Sequence, residues 1–133
     1  MALEKRPAPT PGIISSFSEL EGINFKTIIG SVTRWDDPPA KPGEPTPYLS
    51  AFSMHYWLLG KKEKDEQKPH FQDEVYVILE GEGQVDIDGK ILDIRTGDIV
   101  FVPAQMNHHF ITNGESDIRM LVFFGPDWCG RNP

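Results

Sequence analysis

The sequence predicts an all-β domain, built as a sandwich or a barrel, and three observations predict it. Short runs rich in β-branched and aromatic residues recur along the chain, with turn residues between them. Glycine and proline number 12 each among 133 residues, which is typical of short strands joined by turns. No long segment has apolar residues at the i, i+3, i+4, i+7 spacing of a helix.

The elements are predicted in chain order. Residues 1–12 contain three prolines and no apolar periodicity, so we expect a flexible N-terminal arm ahead of one domain over 13–133. Residues 15–20 can form one helical turn. The proline-rich residues 36–47 predict an extended loop, because proline offers no N–H to a ladder. Residues 60–69 are strongly charged, and we expect a solvated connection there.

Turn residues delimit the predicted strands. Asp88-Gly89 is the dipeptide of a tight type I′ hairpin, in which both central residues need a positive φ. Asn113-Gly114 is a second hairpin signal. Pro103 ends the predicted strand 99–102. The predicted strands cover residues 24–29, 51–59, 74–79, 84–87, 91–94, 99–102, 108–112 and 118–124.

Composition excludes several classes of partner. Asp and Glu total 20 against 13 Lys and Arg, giving a net charge of −7, which argues against nucleic acid and anionic membranes. No apolar run approaches the ~18–20 residues of a membrane-spanning helix. The first ten residues lack the apolar stretch of a secretory signal. Cys129 is the only cysteine, so no disulfide forms within the chain and we expect a cytoplasmic location.

Histidines are the residues best suited to carry chemistry. The four are His55, His70, His108 and His109. If a strand begins early enough, one of its faces carries Lys68, His70, Gln72 and Glu74. His70 and Glu74 would lie ~13 Å apart along a straight strand, so one metal ion reaches both only where the strand bends or bulges. His108 and His109 are adjacent, so only one of them faces inward.

Two spaced motifs resemble those of the cupin superfamily. The first motif has a His, three residues, a Glu, six residues and a Gly, and His70, Glu74 and Gly81 have this spacing. The second motif is matched in register by Gly97, Pro103 and His108, and a short hairpin lies between the two motifs, as in the family. The similar region covers residues 69–126.

The resemblance implies a fold and a metal. It implies a small double-stranded β-helix, a jelly-roll barrel, with a divalent transition metal held near its axis. Carried over by position, His70, Glu74 and His108 are the implied ligands. This set of two His and one carboxylate with open positions suits Fe(II), and also accepts Mn, Ni, Co or Zn.

The sequence departs from the family pattern at three positions. Lys68 replaces the first histidine of the first motif, and an ammonium group cannot bind a metal. Gln105 replaces a glycine and Thr112 an asparagine in the second motif. Gln72 is a candidate for an additional, weak ligand through its amide oxygen.

Three further residues are candidates for contact with a substrate. Lys68 could pair with an anionic group at the mouth of the site, although a solvated charge is its usual state. His55 could line the pocket, although a packed and hydrogen-bonded histidine is the commoner case. Tyr76 could do so as well, with barrel packing as its alternative role.

These residues indicate a metal-dependent enzyme acting on a small organic molecule. Dioxygenase-like chemistry is the first choice because of the open ligand positions, and isomerase and lyase chemistry stay open. A non-catalytic module that binds a small ligand is the alternative, and the lost ligand at Lys68 supports it. A metal-independent isomerase using His and Tyr is a third hypothesis.

We also expect a homodimer, formed by paired sheets or a swapped arm, because an exposed edge strand or the apolar segment 12–14 would be a liability in a monomer.

Overall fold

The structure, a computed structural model, describes residues 12–29, 52–69 and 72–125. The arm up to residue 11, the proline-rich loop 36–47, His70 and Cys129 lie outside these ranges. The predictions made for them therefore stay predictions.

The described residues form β-strands and one short 3₁₀ helix, Phe17–Leu20, so the all-β prediction is confirmed. In the described part of the chain, no helix has the length and apolar character needed to cross a membrane. The strands are β1 Phe25–Ile29, β2 Ser53–Leu59, β3 Asp73–Glu80, β4 Glu82–Ile87, β5 Lys90–Arg95, β6 Ile99–Val102, β7 His108–Thr112 and β8 Ile118–Gly125.

The strands pair into two antiparallel sheets. Across the described ranges, the larger sheet has the order β1-β2-β8-β3-β6 and the smaller one β5-β4-β7. Alternation along β3 buries Glu74, Tyr76 and Ile78 on the inner face of the larger sheet. Phe110 of β7 meets Tyr76 in an edge-to-face contact with ring centroids 4.7 Å apart, so the core lies between the two sheets.

Backbone geometry explains two motif positions. Asp88 and Gly89 have φ of 54° and 91°, which fits the predicted type I′ hairpin. Gln105 has φ of 69°, a conformation that glycine adopts without strain, which accounts for the glycine in the family pattern. Gly81 has φ of 112°, and a Cβ there would collide with the carbonyl oxygen of Asp117.

The connection 60–69 is exposed at most of its positions, as expected, but Asp65 departs from that expectation. Asp65 is buried, and its Oδ2 accepts a hydrogen bond of 2.8 Å from the backbone N–H of Phe110 in β7. The hydroxyl of Thr112 donates to the carbonyl oxygen of Glu63 over 3.3 Å. This segment therefore runs along β7 and provides hydrogen-bond partners for the Phe110 N–H and the Thr112 hydroxyl. The charge composition of the segment does not predict these hydrogen bonds.

The outer face of the larger sheet is apolar where β3 pairs with β6. Val75 pairs with Phe101 and Val77 with Ile99, so these four side chains point away from the core. Ile99 is 72% exposed and Phe101 56% exposed, on the strand that ends this sheet within the described residues. Such a surface is a candidate for contact between protein chains.

The homodimer stays a prediction, and this face gives it a test. We expect sedimentation equilibrium of the wild type to give the mass of two chains. Phe101→Glu places a charge on the apolar face, so its mass should fall toward one chain. Ile91→Glu is the matched control, because Ile91 is 53% exposed on the smaller sheet. A wild-type mass of one chain would overturn the prediction.

Candidate metal centre

Glu74 is a buried carboxylate on the inner face of β3. It is 1% exposed and pairs with Phe124 on one side and Val102 on the other. A carboxylate among apolar neighbours is costly unless it is paired, hydrogen-bonded or bound to a metal. The position therefore calls for a partner with positive charge or donor protons.

His108 provides that partner from the opposite sheet. It is the first residue of β7, and its Nε2 lies 2.9 Å from Oε1 of Glu74, with both side chains 1% exposed. Its Nδ1 lies 2.9 Å from the carbonyl oxygen of Met106, an atom that can only accept a hydrogen bond. Nδ1 therefore carries a proton, and Nε2 is the nitrogen that faces Glu74. Two of the residues predicted as ligands thus lie together.

Gln67 also belongs to this cluster, and the sequence analysis missed it. Its Oε1 lies 3.1 Å from Nε2 of His108 and accepts a hydrogen bond of 2.9 Å from the hydroxyl of Tyr76. Its amide nitrogen donates to Oδ2 of Asp65 over 2.7 Å, which orients the amide oxygen toward the site. The spacing of Asp65 and Gln67, two residues apart ahead of Pro69, was the available signal.

Burial and hydrogen bonding shift three pKa values in this cluster. Burial raises the pKa of Asp65, and hydrogen bonds from Phe110 and Gln67 oppose only part of that shift. Burial lowers the pKa of His108, but hydrogen bonds to Glu74 and the Met106 carbonyl, with nearby negative charge, raise it overall. Burial and Glu74 raise the pKa of Tyr76 well above its ordinary value, so its phenol stays a donor.

The cluster fits a cation. With Nδ1 protonated, Nε2 of His108 faces two acceptor oxygens, so either a proton or a metal ion is needed between them. Neighbouring donors bound at about 2.1 Å and at right angles lie ~3.0 Å apart. The observed separations of 2.9 Å and 3.1 Å agree with this value and equally with hydrogen bonds from a protonated imidazole. Within residues 12–29, 52–69 and 72–125, no three His, Cys, Asp or Glu side chains form a metal-binding group, and His70 lies outside these ranges.

The remaining candidates take different positions. Lys68 is exposed, and Gln72 is buried one residue before β3. His55 lies on the inner face of β2, with ring nitrogens 3.0 Å from the hydroxyls of Thr27 and Ser53. Their proposed contacts with a metal or substrate stay predictions.

An open apolar depression lies at the ends of β3 and β8, and Phe52, Val75 and Phe123 contribute to its lining. Val75 pairs with Phe123 on the outer face of the sheet, whereas the Glu74 side chain, 1% exposed, points to the inner face. The depression is therefore not part of the candidate metal centre.

Comparisons with known proteins agree with this architecture. A family model described as a cupin domain matches residues 55–124, more than half of the chain. An uncharacterized protein of Streptomyces coelicolor is 36% identical over 74 residues, which cover 56% of this chain and 70% of that protein. Acireductone dioxygenase of Leishmania infantum is 40% identical over 70 residues, which cover 47% of this chain and 20% of the dioxygenase.

A solved structure extends the likeness in fold. A Cupin 2 conserved barrel domain protein from Salinispora arenicola aligns over 94% of this chain and 90% of its own, with 13% identity and a TM-score of 0.58. At this identity the likeness concerns the fold alone. It confirms the barrel that the two motifs imply.

The role of Asp65 can be tested by its removal. Asp65→Ala takes the acceptor from the Phe110 N–H and the Gln67 amide, so the free energy of unfolding should fall by about 2 kcal/mol. Glu66→Ala is the matched control on the exposed neighbour, and its effect should stay within about 0.5 kcal/mol. Urea denaturation measures both variants. Equal stabilities would contradict the structural role of Asp65.

Proposed function

The chain belongs to the cupin family, and from this premise we propose that it is a metal-dependent enzyme acting on a small organic molecule. A divalent transition metal would be held by His70, Glu74 and His108. The observation that carries the proposal is the buried contact of 2.9 Å between Nε2 of His108 and Oε1 of Glu74. The two side chains come from opposite sheets and meet in the interior.

The chemistry of the donors supports a metal of intermediate hardness. Imidazole nitrogen and carboxylate oxygen suit Fe, Mn, Ni, Co or Zn. The hydrogen bond from Nδ1 to Met106 fixes the ring and directs Nε2 toward the ion, as outer partners of metal-binding histidines commonly do. A bound metal would supply Lewis acidity, or a site for O₂, at its open positions.

Dioxygenase-like chemistry is the first choice among the reactions, with isomerase and lyase chemistry as alternatives. The set of two histidines and one carboxylate leaves positions open for substrate or O₂. The similarity to part of acireductone dioxygenase supports this choice over the matched segment. The proposal includes a cytoplasmic location, because Cys129 alone cannot form a disulfide within the chain.

Two other functions have an observation in their favour. Lys68 is exposed and supplies no metal donor, which favours a non-catalytic module that binds a small ligand. The contact of Glu74 with His108 and the nearby Tyr76 would also suit proton transfer without a metal. Both alternatives predict a wild-type protein that functions metal-free, and metal content separates them from the leading proposal.

Removing His108 tests the metal site. His108→Ala should lower the metal bound per chain at least about tenfold, because one donor is lost. His70→Ala should give the same loss. His109→Ala is the matched control, since His109 lies on the outer face of β7 beside Asp86. Elemental analysis of the purified proteins measures the metal.

The same experiment needs a check on folding. Because alanine leaves Glu74 buried beside an empty space, His108→Phe is the second variant; its ring fills much of that space and offers no donor atom to a metal. Both variants should retain the circular dichroism of the wild type. Metal that is undiminished in a folded variant at position 108 would refute the assignment.

A further inference from the structure

We propose that Gln67 is itself a metal ligand, through its side-chain oxygen, and that it replaces the histidine that the family pattern has at position 68. This inference rests on the proposed metal site. It assigns a ligand one residue earlier than the family pattern does, in a segment whose sequence looks solvated.

Distances place the amide oxygen among the donors. Oε1 of Gln67 lies 3.1 Å from Nε2 of His108, and Oε1 of Glu74 lies 2.9 Å from the same nitrogen. Both separations are ordinary hydrogen-bond lengths, and neighbouring ligands of one ion also lie ~3.0 Å apart. The amide oxygen of Gln67 is therefore about as close to the imidazole nitrogen as the carboxylate oxygen of Glu74 is, and an ion bound by the other two donors could reach it.

The orientation of the amide is fixed by the protein. The Gln67 Nε2 donates to Asp65 over 2.7 Å, and Asp65 also accepts from the Phe110 N–H over 2.8 Å. The Tyr76 hydroxyl reaches the amide oxygen from another direction over 2.9 Å. Amide oxygens bind transition metals weakly, so an oxygen that is already held in place is an advantage.

Alternation along the chain explains why residue 67, and not residue 68, faces the site. Asp65 is buried and Gln67 partly buried, and both side chains take part in the buried cluster, whereas Glu66 and Lys68 are exposed. In an extended segment, residues two apart share a face. A side chain at position 68 therefore points to solvent, and a lysine there does not disturb the site.

The proposal has a consequence for the donor set. An amide oxygen in place of an imidazole makes the set richer in oxygen, which shifts its preference toward harder ions such as Mn²⁺. Gln67→His should reverse that shift and favour Zn²⁺ relative to Mn²⁺. Competition between the two ions, followed by elemental analysis, measures the change.

Paired variants test the assignment directly, with Cu²⁺ as a spectroscopic probe. Gln67→His should add one nitrogen to the superhyperfine pattern in electron paramagnetic resonance, because the new imidazole would bind the ion. Lys68→His, the matched control, restores the family residue on the exposed side and should leave the nitrogen count of the wild type. An added nitrogen from position 68, or none from position 67, would overturn the inference.

Two further measurements separate the possible failures. Gln67→Ala should weaken Mn²⁺ binding at least about tenfold in chelator competition. This variant replaces Gln67→His as the test if Gln67→His fails to fold. An unchanged affinity in folded Gln67→Ala would then overturn the inference. His108→Ala should lose one nitrogen from the Cu²⁺ spectrum. An unchanged Cu²⁺ spectrum in His108→Ala would refute the proposed metal site itself. If His108→Ala loses a nitrogen but the position 67 variants match the wild type, only the role of Gln67 is refuted.

Discussion

The contact between Glu74 and His108 is the constraint around which the interior is arranged. A carboxylate and an imidazole, both 1% exposed, face each other between two sheets whose core cluster is apolar. Because Nδ1 donates its proton to a backbone carbonyl, a second proton or a metal ion is needed between Nε2 and its oxygen neighbours. The low polarity of the surroundings strengthens that attraction and also raises the cost of leaving it unsatisfied.

The segment that follows β2 links this contact to the fold. Its residues 63–67 run along β7, and Asp65 uses one carboxylate oxygen both to hold a strand N–H and to orient the Gln67 amide. The same side chains thus protect a sheet edge and shape the donor cluster. A change in this segment would therefore affect stability and metal affinity together.

The sequence predicted most of the frame and part of the site. Alternating apolar residues and the Asp88-Gly89 turn placed the strands, since both signals are local. The two motifs led to Glu74 and His108, which the structure brings together. Burial of Asp65 and the inward position of Gln67 could not be predicted, because both depend on the edge of β7, distant in sequence, arriving beside a charged segment. The spacing of the family motif placed a ligand at residue 68. In an extended segment, neighbouring side chains point to opposite faces, so an error of one residue selects the wrong face.

Strand β3 connects the interior chemistry to the surface. Its inner positions carry Glu74 and Tyr76, while Val75 and Val77 face outward beside Ile99 and Phe101. Because β3 lies between β8 and β6, its backbone is held by ladders on both sides. A partner seated on the outer face would contact the same strand that positions the carboxylate. Packing there would restrain the backbone of β3, and with it the small shifts to which the position of the Glu74 carboxylate is sensitive.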